Sequence, residues 1–505
     1  MAEARVVGGL LHPLDPENYG EPERFQHMVD GLLEAGDVVR TVEHVGNKYP
    51  VVAGLPFTYD SLGAPAVFAV SDSAVEQALN NPDLVSTQGT GIIEFSDTDF
   101  GRRVKDIAAF LGDAAGRQAK RAIQYGDPLS TDGGDHQDIR SIINGSREFK
   151  GKDDPDRDMP LERYIESLAD DFVGSLSSPL RAGEQVDVVE LANEFTYRTI
   201  ARIIGIDLTG EDAAEKIKTF MHASQQAFLV GEVPLGSAYL DDNGEVATTA
   251  HPILAEARRV LQQEHTQHDG SFLDKLRNTE FCDEIRKSAA DMPQGPERAS
   301  REEFVNYLEL VAQEVSKIYG TVSADQFIAA KLLTILMPAG SETTSTVITR
   351  GIHALVENPE QRRLLSQAVD SGNIKPAVEE IIRYGSPVHL VGRTAARATM
   401  IAGVPISEGE RVFAAVGASN RDPAKFNNPW KLQLDRDEGY SNAFGGGRHV
   451  CPGSGLARTE LGILFTKLDE SGILDEVTVA EPGLVDRPTP QLRTPRSLML
   501  VAAQK

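Results

Sequence analysis

Cys451 has the most chemistry to offer of any residue in the chain. It lies in Phe444-Gly-Gly-Gly-Arg-His-Val-Cys-Pro-Gly453, where a glycine-rich turn delivers one thiol to the entrance of a helix. Pro452 suits the first helical position, because the N–H it lacks would have found no partner there. The positive end of the helix dipole and the free N–H groups of the first turn would stabilise a thiolate. Cys282 is the only other cysteine, so neither a disulfide framework nor a four-thiolate zinc site can be built. A single thiolate is a candidate axial ligand for a haem iron. The bland alternative is a buried structural cysteine beside a glycine turn. The same glycines imitate a phosphate-cradling loop, but Val450 stands where the dinucleotide fingerprint needs its third glycine.

Three other constellations accompany it. In Ala339-Gly-Ser-Glu-Thr-Thr344 a carboxylate and a hydroxyl follow small residues, an arrangement that can leave a groove and hold a water. Taken alone, it is more often the exposed face of an amphipathic helix. His136 and Arg140 are four residues apart, so on a helix they share a face and could converge on carboxylates, the alternative for each being a solvated surface charge. Glu380 and Arg383 form an i,i+3 pair of opposite charge, worth only about 0.2–0.5 kcal/mol on a surface.

The elements that must position these residues are mostly helical. Ser323-Ala-Asp-Gln326 is a capping box opening a helix that runs to about Val356 and crosses a whole domain core. Pro338 falls inside it, removing the bond to the carbonyl of residue 334 at a typical cost of about 3 kcal/mol or more. A second apolar-periodic run covers Val186 to Ile204 and stops at Gly205. Pro376 can start a short helix around Glu380, and a last helix is expected from about Pro452 to Leu468. Short β-rich runs stand at 49–53, 66–70 and 411–416, an irregular stretch at 420–429, and a β-rich tail at the end. The polar span 265–303 reads as a surface excursion. The fold class is mainly α with small β-sheets (α+β), in a single large domain over 1–505. Its β-richer part covers about 1–100, its helical part about 101–385, and its cysteine-loop and C-terminal part about 386–505.

Composition narrows the function. The 505 residues include 50 Lys+Arg against 76 Asp+Glu, and 50 − 76 gives −26, which disfavours a general nucleic-acid binder. At 40% hydrophobic and 25% charged the chain reads as soluble and globular. The first residues lack a basic flank followed by an apolar core, and no stretch approaches the roughly 18 apolar residues of a membrane span. A cytoplasmic protein without a membrane anchor is expected.

Phe444, Gly447, His449, Cys451 and Gly453 match the ten-residue cysteine-loop signature of the cytochrome P450 family, which this chain resembles from at least His136 to Leu468. Ala339 to Thr344 is similar to that family's oxygen-activation motif. The resemblance implies a P450-like fold and a haem-dependent monooxygenase with O2 as co-substrate. Cys451 would then be the metal ligand of haem b, and Glu342 and Thr343 the acid and alcohol that manage protons. His136, Arg140, Arg393 and His449 would face the haem propionates, with Phe444 and Gly340 completing the cofactor's surroundings. Arg448 lies one position off the usual site and is a weaker candidate. Glu380 and Arg383 resemble the family's structural ion pair, with Lys431, Arg421 and Arg436 all open as its third member.

The resemblance also implies a small organic substrate, oxidised or hydroxylated, and electrons from a separate ferredoxin and ferredoxin reductase (or equivalent). Arg140, Arg147, Lys150 and Lys152 form a local basic cluster suited to such docking. A peroxide-using relative could dispense with Glu342 and Thr343. A haem sensor has no use for proton delivery. A thiol-nucleophile enzyme would need His449 to face Cys451 as a base. The pocket is expected from roughly 85–130, 208–270, 336–343 and 388–392, with Ile335, Leu390 and Val391 making it partly apolar. Extra length, before His136 and between about 225 and 320, is expected to shape substrate or partner specificity.

Overall fold

A computed structural model of the chain describes residues 5–6, 22–40, 67–86, 128, 131–155, 159–205, 239–240, 246–247, 272, 276, 278–319, 321–487 and 492–503. The β-run expected at 49–53 and most of the expected pocket segments 85–130 and 208–270 lie outside the described residues.

The amino-terminal part alternates strands with helices: β1 (Arg5–Val6), α1 (Pro22–Ala35), β2 (Val38–Arg40), β3 (Val67–Ala69), α2 (Asp72–Asn80) and β4 (Leu84–Val85). Helix α1 forms because Phe25, Met28, Val29 and Leu32 recur at helical spacing and bury one stripe. Next come α3 (Gly133–Gly145), α4 (Leu161–Arg181), β5 (Val186–Asp187) and α5 (Val188–Ile204), then a small ribbon of β6 (Tyr239–Leu240) and β7 (Val246–Ala247). The helix expected from Val186 thus begins two residues later, with Val186 and Asp187 in a strand, and Gly205 closes it in the left-handed region, as a C-cap requires.

Two helices, α6 (Phe281–Ala290) and α7 (Pro296–Tyr319), occupy much of the span read as a polar excursion. The composition concealed an amphipathic stripe: α6 buries Phe281, Cys282, Ile285 and Ala289 and leaves its charges outside. Helix α8 (Ala324–Glu357) has the expected capping box, with Gln326 N–H donating to Ser323 Oγ and Ser323 N–H to Gln326 Oε1, both at 3.1 Å. It runs unbroken through Pro338. Then follow α9 (Pro359–Asp370), α10 (Lys375–Gly385), β8 (Val391–Ala395), the hairpin β9 (Thr399–Ile401) and β10 (Val404–Ile406), and β11 (Arg411–Ala414). Helix α11 (Ser454–Ser471) leads to β12 (Val477–Asp486) and β13 (Pro495–Ala502).

A six-stranded sheet has the order β1-β2-β3-β11-β8-β4, and a three-stranded sheet the order β12-β13-β5. In the larger sheet β3 runs parallel to β11, pairing Phe68 with Phe413, whose rings stack at 5.2 Å. Alternation along these strands sends Phe68 and Phe413 toward α1, and Val67, Ala69, Val412 and Ala414 toward α2. The main core lies among the helices, where α3, α4, α5, α8, α10 and α11 bury residues such as Ile139, Leu168, Ile200, Leu332, Ile381 and Leu464. Two features of this scaffold position the site. Helix α8 is seated on α5, and the loop before α11 is held between α2 and α3.

Candidate functional site

Seating the loop before α11 depends on backbone proximity. Gly447 has φ +63°, and a Cβ there would lie 2.6 Å from the Leu79 carbonyl oxygen, so only glycine lets this turn close on α2. The Cys451 N–H then donates to the Phe444 carbonyl at 2.9 Å. From α3, the Arg140 guanidinium donates to the Val450 carbonyl. From α11, Arg458 lies over the Phe444 ring at 4.6 Å and is itself held by Glu379, at 2.5 and 3.1 Å.

Cys451 is half-buried. Its thiol is pushed up from the ordinary value by burial, against the lowering effects of the Gly453 N–H, Arg140 and Arg458. Two expectations are corrected here. Helix α11 begins at Ser454 with Gly453 as its N-cap, so Pro452 sits in the preceding turn instead of at the first helical position. Desolvation outweighs the helix entrance, and the thiol favours its proton. A thiol in this condition ionises on meeting a cation, which is how a ligand behaves and not how a pre-activated nucleophile does.

His136, Arg393 and His449 stand around Asp132, an acid missed in the sequence, with Arg140 beside His136. His449 Nε2 lies 3.0 Å from Asp132 Oδ1 and 3.4 Å from Ser86 Oγ, so its ring is engaged away from a base's position on the thiol. The His136 and His449 rings lie 4.3 Å apart. His136 is lowered to about 4 by burial and by its neighbours His449 and Arg140, so at neutral pH it is an uncharged donor. Arg393, buried on β8, donates to the Gly392 carbonyl at 2.8 Å and is lowered to about 10 by burial, with Asp132 opposing. Arg448 is spent on the Pro82 and Leu84 carbonyls, both at 3.0 Å.

On α8, Glu342 is buried and raised to about 7 by desolvation, with Arg487 opposing. Thr343 Oγ1 donates to the Ala339 carbonyl at 2.8 Å, and Thr346 Oγ1 to that of Glu342 at 2.8 Å. Gly340 faces α5: a Cβ there would meet Ile200 Cδ1 at 2.6 Å, so its lack of a side chain lets the two helices close. The third member of the Glu380–Arg383 network is Arg436, whose Nε lies 3.0 Å from Glu380 Oε2. Lys431 contributes only its carbonyl, and Arg421 donates to the Arg383 and Tyr384 carbonyls at the end of α10.

The donor set was tested against a haem. Its carboxylates need buried donors with spare capacity, and His136 Nε2 is buried with no hydrogen-bond partner among the described residues. Its iron needs one soft ligand, and the Cys451 thiol faces one backbone N–H and two cations. The residues fit. Fold and donor set together are compatible with a cysteine-ligated haem.

The family model for cytochrome P450 matches residues 98–372 and 374–469. The chain belongs to the cytochrome P450 family. Among curated relatives it is 36% identical over 211 residues to cytochrome P450 CYP107DY1 of Priestia megaterium, covering 39% of this chain and 51% of that one. It is 41% identical over 140 residues to the biotin biosynthesis cytochrome P450 of Bacillus subtilis, covering 28% and 35%. The chain thus spans about half or less of the length of these relatives. It is 30% identical over 301 residues to the methyl-branched lipid omega-hydroxylase of Mycobacterium tuberculosis, covering 58% and 67%. The structure of CYP105P2 from Streptomyces peucetius aligns with a TM-score of 0.62 at 19% identity, over 99% of this chain and 100% of that one. That likeness concerns the fold: mostly helical with small sheets, as expected. Among the described residues no helix is long and apolar enough to cross a membrane.

Proposed function

We propose that this chain is a haem-dependent monooxygenase, one domain over 1–505, that oxidises and most simply hydroxylates a small organic substrate in secondary metabolism. The carrying observation is the convergence of Cys451 with a donor set, His136, Arg140, Arg393 and His449, suited to a dicarboxylate cofactor. The hydroxylase among the relatives supports the reaction type. Haem b, when bound, supplies the iron at which O2 is activated. Cys451 would hold that iron through Sγ. His136, Arg140, Arg393 and His449 would hold the propionates, with Phe444 fixing the Cys451 turn through its carbonyl. Gly340 keeps α8 seated on α5 and so fixes where Glu342 and Thr343 stand.

Proton handling follows from α8. With a carboxyl at about 7, Glu342 takes up and releases a proton at neutral pH without a large driving force. Thr343 already donates to Ala339, so its lone pairs are what it offers to an incoming proton. To pass a proton on, it must break the Ala339 bond. Glu342 as source and Thr343 as gate is the simplest relay these bonds allow.

Electrons would come from a separate ferredoxin and its reductase in the cytoplasm. Arg147, Lys150 and Lys152 are exposed on a loop that reaches α11, where Thr459 Oγ1 lies 3.5 Å from the Gly151 carbonyl. Arg140 leaves that basic group, being turned inward to Val450. The test is Thr343→Ala in the reconstituted system. Haem content should hold while oxygen uptake is diverted from product to peroxide; unchanged coupling would place the relay elsewhere.

A further inference from the structure

Helix α7 lies in the span whose extra length was expected to shape substrate or partner specificity, and it meets the cofactor helix directly. Arg301 Nη2 donates to Asp138 Oδ2 at 2.8 Å, and its Nη1 lies 3.9 Å from Asp135 Oδ1. The Arg301 side chain is 12% exposed and that of Asp135 9%, while Asp138, which accepts the hydrogen bond, is 39% exposed. The guanidinium lies over the first turn of α3, where a Cβ at Gly134 would come within 3.2 Å of Nη1. Helix α7 is itself anchored. Arg286 of α6 bonds Glu309 of α7 at 2.7 Å, and the Cys282 N–H of α6 bonds Asp325 at the head of α8 at 2.9 Å.

At 100° per residue, Asp135 and Asp138 lie about 150° round α3 from His136 and Arg140. Helix α3 is therefore gripped on one face by α7 and presents its cofactor residues on the other, toward the loop before Cys451. We infer that Arg301 is a positioning residue for the cofactor, holding α3 at the height and rotation that put His136 and Arg140 on its carboxylates. The inference rests on the reading of His136 and Arg140 given above. It assigns the segment around α6 and α7 a task at the cofactor, by way of α3.

The test is the rate of haem loss from the purified holoenzyme to an excess of an apo-globin acceptor, together with the haem reduction potential. Arg301→Ala should speed haem loss roughly tenfold, the usual size of an outer-shell effect, and displace the potential. Asp138→Asn should do the same more weakly, and Arg301→Lys should restore most of the wild-type behaviour. Wild-type rates and potential in both Arg301→Ala and Asp138→Asn would overturn the inference. His136→Phe separates the two levels. If it speeds haem loss while the Arg301 and Asp138 variants do not, only the bracing role fails. If it also leaves the rate unchanged, the reading of His136 fails as well.

Discussion

The Glu380 cluster and the Cys451 cluster use the same kinds of residue to opposite ends. Around Glu380, two buried guanidiniums place every N–H on an acceptor. Arg383 grips the carboxylate at 2.7 and 2.8 Å and spends its other N–H groups on the Asn420, Pro429 and Lys431 carbonyls. Arg436 divides its own among Glu380, Glu438, Gln433, Asn427 and Lys431. Around Cys451 the matching is incomplete: among the described residues His136 Nε2 has no hydrogen-bond partner, and the thiol faces the Gly453 N–H, Arg140 and Arg458. A cluster satisfied from within fixes a scaffold, because any further ligand would have to displace a bond already made. A cluster that keeps a buried donor to spare suits an acidic guest.

The contrast can be broken most decisively at the sulfur. Cys451→Ser should abolish oxygenation and the thiolate spectral signature; retained turnover would remove Cys451 from the ligand position. Next in size, Glu380→Ala leaves two buried cations uncompensated and should destabilise the protein by about 3–5 kcal/mol in urea unfolding. His136→Phe, in the other cluster, should cost less than about 1 kcal/mol of apoprotein stability while weakening haem binding. Equal stability losses in the two variants would erase the distinction.

A smaller effect concerns pH. Glu460 of α11 is sealed in the core, and the Thr199 hydroxyl that faces it is already donating to the Phe195 carbonyl. Burial pushes its carboxyl well above the ordinary value of 4.5, so the folded chain keeps a proton that the unfolded chain releases. Its contribution to stability is complete below that ordinary value and is lost as pH rises, by about 1.4 kcal/mol per pH unit, until the folded carboxyl ionises. Glu460→Gln should flatten that slope between pH 5 and 7, read from urea midpoints. An identical slope in the variant would show that Glu460 titrates normally.

What the sequence revealed and what it hid divide along the length scale of the contacts. The Cys451 turn, the Ser323 capping box and the Glu380–Arg383 pair are local, and spacing alone exposed them. Arg436 was left among three candidates because it meets Glu380 across 56 residues of irregular chain, where no periodicity says which cation turns inward. The rise of the Cys451 thiol was missed because helix-end electrostatics can be read locally, while desolvation depends on everything packed around the sulfur. Asp132 carried no signal beyond its place before α3. Glu460 did carry one. It occupies the register of Leu456, Leu464 and Leu468 on α11, so an acid was standing where a fourth apolar residue belonged. Helices α6 and α7 were obscured by charge, since a high content of exposed residues masks a narrow buried stripe.

Absorption of the reduced protein under carbon monoxide tests the central claim most directly. A strongly red-shifted Soret band, lost in Cys451→Ser, is the predicted result and establishes a haem held by this thiolate. A band at the position typical of histidine-ligated haem, or no haem band at all, would contradict the account.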